Sequence, residues 1–177
     1  MKINFEDFKI ERCTISNLNE ILLIQEEVLA ELSECILREN TVDMLRECLG
    51  LPHITLGAWH EEKLVAFSIL YFTEWEDIED LAHLLDSVNS YGLKAVNYKL
   101  CIVRKEYRGN SLQYKMGKLL KSLAVESGVQ IICATVAPNN EHSIENIEKL
   151  GFIYNKTLVK YGFDRNLYYQ LLESNGE

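Results

Sequence analysis

The residues with the clearest chemical pattern lie between a predicted strand end and a predicted helix start, at 103–118 (VRKEYRGNSLQYKMGK). The N–H groups in the first turn of a helix have no acceptor within the helix, and with the helix dipole they attract anions. Gly109 lets the backbone approach a phosphate closely, and Arg104, Lys105 and Arg108 add positive charge. The pattern predicts a phosphate or pyrophosphate site, although the same residues would also make an ordinary turn before a helix.

A second polar segment follows another predicted strand, at 137–152 (APNNEHSIENIEKLGF). Pro138 ends the apolar strand, and Asn139 or Asn140 can cap the helix that follows. Gly151 can adopt the left-handed conformation that ends a helix. Taken one at a time, these residues need no explanation beyond capping.

Taken together, in this order and spacing, the two segments resemble motifs of the Gcn5-related N-acetyltransferase (GNAT) superfamily. The superfamily pattern Arg/Gln-x-x-Gly-x-Gly/Ala is similar to the run from Arg108 to Gln113. Its later Asn-x-x-Ser/Ala … Gly-Phe element is similar to Asn140, Ser143 and the Gly-Phe pair at 151–152. The resemblance extends over most of the chain and is strongest between these motifs.

The resemblance implies an acyl-CoA N-acyltransferase-like fold. This is an α/β (α+β) fold with a mixed, mostly antiparallel sheet of about six or seven strands, one splayed parallel pair and flanking helices. Residues 1–177 would form a single domain. The implied activity is transfer of an acetyl group from acetyl-CoA, the co-substrate, to a primary amine of a small molecule or peptide.

The resemblance also implies where the cofactor binds. Backbone groups at the end of the fourth strand would pair with the pantetheine amides, and N–H groups at the helix start would hold the pyrophosphate. Asn140 and Ser143 would face the pantetheine arm or the thiol. The implied cofactor-binding residues are Cys101, Ile102, Val103, Arg108, Gly109, Asn110, Ser111, Leu112, Gln113, Asn140 and Ser143.

The sequence departs from the superfamily pattern at several positions. Ser111 replaces the middle glycine, and a positive φ there would cost roughly 1 kcal/mol or more. Gln113 replaces the final glycine or alanine. Many relatives place a tyrosine, the acid for the leaving thiolate, where this chain has Ile147, and an acid where it has Asn97. These departures keep open a CoA-binding or regulatory domain without transferase activity, and, more remotely, a phosphate-binding protein of unrelated α/β fold.

A protonated amine must lose a proton before it attacks a thioester, so a base or a chain of water molecules is needed. Glu74 and Glu76 follow the third predicted strand, where an acceptor would approach, and are candidate bases. His142 is a candidate base or acid. Each of the three could equally be a solvated surface residue.

Hydrophobic periodicity predicts the elements that must position these residues. Apolar residues at helical spacing, from Trp75 to Val88, predict a helical insertion at about 74–92. This insertion could cover the acceptor site, form a dimer contact or cover the core. The predicted strands are 8–14, 53–60, 63–72, 95–103, 130–136 and one or two within 153–172, and the predicted helices are 16–32, 41–50, 112–127 and 141–150.

Composition limits the remaining classes. The chain has 177 residues, close to the ~150 of one domain, 47% apolar residues and a net charge of −9. The acidic balance disfavours nucleic acids and anionic membranes as partners. It would favour cationic substrates, or it only supports solubility. Five cysteines without a pairing pattern, no zinc-like spacing and no apolar leader or membrane span indicate a cytoplasmic protein without a metal site. Either a monomer or a homodimer is compatible with the sequence.

Overall fold

The computed structural model describes residues 2–32 and 35–173. Seven strands form one sheet in the order β1-β2-β3-β4-β5-β7-β6. Only β4 and β5 pair in parallel, and every other neighbouring pair is antiparallel. The predicted mixed, mostly antiparallel sheet is therefore confirmed. The strands are β1 (Lys9–Arg12), β2 (Ile54–His60), β3 (Lys63–Phe72), β4 (Ala95–Val103), β5 (Ile131–Val136), β6 (Ile153–Lys160) and β7 (Phe163–Leu171).

Helices cover both faces of this sheet, because side chains of a strand alternate between its faces. Ile69 and Tyr71 of β3 pack with the first two helices, whereas Val65 and Leu70 pack with the last two. No helix among residues 2–32 and 35–173 is both long and apolar enough to cross a lipid bilayer. The helices are α1 (Leu18–Leu29), α2 (Val42–Cys48), α3 (Leu112–Glu126) and α4 (Glu141–Lys149).

Side-chain caps fix the starts of α2 and α4. Thr41 accepts a hydrogen bond from the N–H of Met44 at 3.2 Å and starts α2, in agreement with the helix predicted from residue 41. α1 begins at Leu18, later than the predicted helix start at residue 16, because a short 3₁₀ turn (Ile15–Asn17) with Thr14 at its N-cap comes first. Capping satisfies N–H groups that the first turn of a helix leaves without acceptors.

The parallel strands β4 and β5 are paired over only part of their length. Register joins residues 95–97 of β4 to residues 131–133 of β5 and then stops. On the other side of β4, Ile69 lies opposite Leu100 and Leu70 lies opposite Tyr98, so Lys99 is an extra residue in β4. Such a bulge bends and twists a strand, and β4 accordingly diverges from β5 just beyond Asn97.

The helical insertion predicted at about 74–92 is wrong. The segment consists of turns and contains one 3₁₀ turn, Ala82–Leu84. Two of the apolar residues behind the helical pattern do not face a core, since Trp75 is 41% exposed and Ile78 is 89% exposed. The spacing therefore did not mark one buried face of a helix.

Asp80 supplies the physical reason for the turns in this segment. Its buried carboxylate accepts hydrogen bonds from the N–H groups of Glu76 at 3.1 Å and Ala82 at 3.0 Å, and from the hydroxyl of Thr73 at 3.3 Å. A carboxylate that binds nearby backbone N–H groups stabilises turns in place of a helix.

Candidate functional site

The divergence of β4 and β5 opens a space that we call the fork cavity. It measures about 120 Å³ and is lined by Tyr98–Cys101 of β4 and by residues 134–137 at the end of β5. Backbone groups on the facing edges of the two strands are not paired with each other there. The charged side chains that line it within the described part of the chain are Arg38, Glu79, Lys99 and Arg165.

A second space, which we call the long groove, adjoins the fork cavity and extends to the N-terminus of α3. It measures about 660 Å³. Six of the described residues line both spaces, namely Ile36, Leu37, Cys101, Gln113, Asn140 and Ser143. The structure brings ten of the eleven predicted cofactor-binding residues to this groove: Cys101, Ile102, Val103, Arg108, Gly109, Ser111, Leu112, Gln113, Asn140 and Ser143.

The remaining predicted cofactor residue, Asn110, has a buried side chain that joins two segments. Its Oδ1 accepts a hydrogen bond from the N–H of Ile3 at 2.9 Å, and its Nδ2 donates to the carbonyl of Tyr107 at 2.9 Å. These contacts hold the loop that precedes α3. The side chain of Asn110 thus shapes the groove without lining it.

The N-terminus of α3 presents the anion site that the sequence predicts. The N–H of Lys115 donates to the carbonyl of Ser111 at 3.0 Å, so the three preceding N–H groups have no acceptor within the helix. Gly109 and Ser111 both have positive φ, 84° and 58°. Ser111 therefore occupies the left-handed conformation that glycine adopts without cost. As a serine, it bears the strain expected when it replaces the glycine of the superfamily pattern.

The cations predicted around this turn do not all face the groove. Arg104 is buried, donates from Nε to the carbonyl of Leu64 at 3.0 Å and pairs with Glu27. Arg108 lines the groove, with its Nη1 3.2 Å from Glu31. Of the predicted cations, Arg108 is thus the one positioned beside the helix start.

Gln113, the second departure from the superfamily pattern, bridges the two helices beside the groove. Its Nε2 donates to the hydroxyl of Ser143 at 3.1 Å, and its Oε1 lies 3.4 Å from Nδ2 of Asn146. Asn140 caps α4 by accepting from the N–H of Ser143 at 3.2 Å. A side chain longer than the usual glycine or alanine thus fixes the spacing between α3 and α4.

The predicted catalytic residues are dispersed. His142 lines the long groove in the first turn of α4. Glu74 and Glu76 are exposed and line neither space among the described residues. The carboxylates of Asp77 and Asp80 accept hydrogen bonds from the N–H groups of Glu74 and Glu76 and hold the segment in turns. As a result Glu79, and neither of the two predicted acids, reaches the fork cavity.

Glu79 lies in a buried polar network that sequence reasoning missed. Its carboxylate lies 2.5 Å from Nζ of Lys99, accepts from the hydroxyl of Tyr161 at 3.2 Å and lies 3.5 Å from Nη1 of Arg38. Burial alone would raise the pKa of Glu79, but Lys99 and then Arg38 lower it below its ordinary value. Glu79 is consequently an ionised carboxylate and a weak base. The sequence signal that could have revealed this network is Lys99, a lone lysine within the apolar run of β4.

Two other buried side chains of the fork cavity have unsatisfied atoms. Asn97 donates from Nδ2 to the carbonyl of Glu79, while its Oδ1 has no partner in the described structure. Arg165 donates from Nη1 to the carbonyl of Cys35, while its Nη2 has no partner there. Burial raises the pKa of the Cys101 thiol to about 11, so this cysteine is protonated and does not offer a thiolate nucleophile.

Comparisons with known proteins identify the fold. No protein-family model and no curated protein matches the sequence. Solved structures do match: a GNAT-family acetyltransferase from Streptococcus pneumoniae has a TM-score of 0.69 at 15% identity, covering 94% of this chain and 99% of that one. A provisionally assigned acetyltransferase from Salmonella typhimurium, solved with its cofactor acetyl-CoA, has a TM-score of 0.69 at 17% identity and 97% coverage of both chains.

A third similar structure is the ribosomal-protein-S5-alanine acetyltransferase from Vibrio fischeri, with a TM-score of 0.67 at 13% identity, covering 97% of this chain and 96% of that one. Identities this low establish architecture and leave activity open. The chain has the acyl-CoA N-acyltransferase fold of the GNAT superfamily.

Proposed function

We propose that this protein is an N-acetyltransferase that transfers the acetyl group of acetyl-CoA to a primary amine of a small molecule or peptide. The observation that carries the proposal is that the fork cavity adjoins the long groove. Together the two spaces link unpaired strand edges to the start of α3, a helix of 15 residues. An extended arm with amide groups would satisfy the strand edges, and a pyrophosphate suits the helix start. The similar structure that contains acetyl-CoA supports the same assignment.

The proposed cofactor contacts follow from this geometry. Backbone groups of Cys101–Val103 would pair with the pantetheine arm, and the free N–H groups of residues 112–114, together with Arg108, would hold the pyrophosphate. Ser111 can add its hydroxyl to that site. Asn140 and Ser143 would border the arm from α4, where Gln113 keeps them in place.

The cofactor supplies an activated acetyl thioester. In the transfer, the thioester C–S bond would break as the C–N bond forms, the amine would give up a proton and the released thiolate would take one. A backbone N–H of β4 at the fork can stabilise the oxygen charge that develops. We propose His142, which lines the groove, as the residue that exchanges protons with bulk water. The lowered pKa of Glu79 suits a role in holding cations and opposes one as the base.

Calorimetric titration of acetyl-CoA tests the cofactor site. Arg108→Glu and Gly109→Trp should each weaken binding by about 10-fold or more, because one removes a charge-assisted contact and the other fills the backbone approach. Lys105→Glu is the matched control, since it makes the same charge change outside both spaces. Unaltered affinity in the first two variants, or an equal loss in the control, would contradict the site.

A CoA-binding or regulatory domain without transferase activity is the second candidate. It is favoured by Ile147, which lines the fork cavity where many relatives carry the acidic tyrosine. A thiol-release assay with acetyl-CoA and a panel of amines and peptides separates the two candidates. Turnover supports the transferase, and tight acetyl-CoA binding without turnover of any amine supports the regulatory domain.

A further inference from the structure

The fork cavity has a charge opposite to that of the whole chain. The chain carries a net charge of −9, yet the described residues lining this cavity include three cations, Arg38, Lys99 and Arg165, and one carboxylate, Glu79. Lys99 lies 2.5 Å from Glu79 and already neutralises it. The excess of positive charge therefore remains with the other cations of the cavity.

Arg165 is the cation whose hydrogen bonding is least complete. It is 4% exposed, and its Nη1 binds the carbonyls of Cys35 and Asp164, which fixes the plane of the guanidinium. Its Nη2 is buried and has no hydrogen-bond partner in the part of the chain that the structure describes. Burial lowers the pKa of Arg165, as expected for a buried charge without a counter-ion. Buried charged groups are normally paired, and among the described residues this guanidinium has no anion at Nη2.

Asn97 has an unpaired hydrogen-bond acceptor among the described residues, where Arg165 has an unpaired donor. It is 2% exposed and lines the same cavity at the point where β4 and β5 stop pairing. Because its Nδ2 donates to the carbonyl of Glu79, its Oδ1 is fixed as an acceptor, and that atom has no partner among the described residues. A ligand in this cavity would thus need an N–H at one position and an anion at another.

On the basis of the proposed acetyl transfer, we infer that the acceptor is an amine that also carries a carboxylate, in the manner of a free amino acid. Arg165 binds the carboxylate through Nη2, and Asn97 accepts a hydrogen bond from an N–H of the acceptor. An amine without a carboxylate, such as a simple alkylamine, leaves the guanidinium unpaired. The overall acidity of the chain, which by itself favours plain cationic amines, is overridden locally.

Matched pairs of acceptors test the inference. Steady-state acetylation is measured for lysine against cadaverine, phenylalanine against phenethylamine and alanine against ethylamine, with phosphoethanolamine as a separate anionic arm. At least one amino acid should have a kcat/KM about 10-fold or more above that of its decarboxylated partner. Equal or better use of the decarboxylated amines, or use of phosphoethanolamine alone, overturns the carboxylate assignment while leaving acetyl transfer intact.

Variants then assign the preference to Arg165. Arg165→Gln should raise the KM of the amino acid by about 10- to 100-fold and change kcat/KM of the decarboxylated amine by less than about 3-fold, whereas Arg165→Lys should retain part of the preference. Arg46→Gln, an exposed site paired with Asp43, is the matched control. A preference that survives in a folded Arg165→Gln protein overturns the assignment, with folding judged by acetyl-CoA affinity equal to wild type.

Two further readouts cover the remaining outcomes. If Arg165→Gln does not fold, the inference is still tested by the kcat/KM values of the wild-type protein for the matched acceptors and by the Arg165→Lys variant. If acetyl-CoA binds but no amine is acetylated, the proposed transferase activity fails, and calorimetric titration of the same pairs into CoA-loaded protein tests the inference alone. Binding of an amino acid without binding of its decarboxylated partner supports it, and no binding of either overturns it.

Discussion

Replacement of Lys99 by methionine would leave the buried carboxylate of Glu79 without its nearest cation. The Nζ of Lys99 lies 2.5 Å from that carboxylate, and both side chains are more than nine-tenths buried. Removing one partner of a buried ion pair costs about 3–5 kcal/mol. Arg38 remains 3.5 Å from Glu79, so we expect the lower end of this range, about 3 kcal/mol at neutral pH.

The loss should depend on pH in a direction that the network fixes. In the wild type the pKa of Glu79 lies below its ordinary value, so its contribution to stability is present above that ordinary value and is lost as pH falls through the lowered one. Without Lys99, burial raises the pKa of Glu79 above its ordinary value. The folded variant then takes up a proton as pH falls, and the difference in stability between variant and wild type should shrink between pH 7 and pH 4.

Urea denaturation at pH 7, 5 and 4 measures this difference. At pH 7 the variant should also melt about 6–12 °C lower, at about 2–4 °C per kcal/mol for a chain of this length. The Lys99→Met/Glu79→Gln double variant is the control and should recover most of the loss, because no unpaired charge remains. A loss below about 1 kcal/mol, or a loss that does not change with pH, would refute the reasoning.

Three further variants test local features. Ser111→Gly should raise the free energy of unfolding by about 1 kcal/mol, because glycine adopts a φ of 58° without strain; an unchanged urea midpoint contradicts this. Gly57→Ala places a Cβ 2.5 Å from the ring of Trp59 and should lower stability by about 1–3 kcal/mol in the same measurement, whereas no loss would show that the ring moves freely. Asn140→Ala removes the cap on the N–H of Ser143 and should cost about 1 kcal/mol, with Asn140→Ser retaining most of it; equal thermal shifts for both variants would exclude capping as the cause.

Much of the framework follows from local sequence patterns. The apolar alternation and short turns of β2 and β3, the apolar run of β5 and the start of α3 at Leu112 all lie where the pattern predicts them. These signals are local, because they depend on residues a few positions apart. The same is true of the loop around Gly109 and of the Asn140 cap.

The parts that sequence could not provide depend on partners far apart in the chain. The sequence pattern predicts Arg104 as a phosphate-binding cation, but in the structure Arg104 is paired with Glu27, which lies 77 positions away. The hydrophobic spacing places Glu79 in an amphipathic helix. In the structure, the turn held by Asp80 and the ion pair with Lys99 at the bulge of β4 determine where Glu79 lies. Neither pairing leaves a periodic signal.

The fork between β4 and β5 also bears on how the sheet assembles. The strands on either side of it form two groups, β1–β4 and β5–β7, each consecutive in chain order. The hairpins β2–β3 and β6–β7 close through turns of two residues, 61–62 and 161–162. Within the described residues the sheet pairing between the two groups consists of three parallel residue pairs, and α3 connects β4 to β5. Because non-local parallel pairing is slow, the β4–β5 pairing is expected to form last during folding. It is also expected to be the line along which the sheet is mechanically weakest.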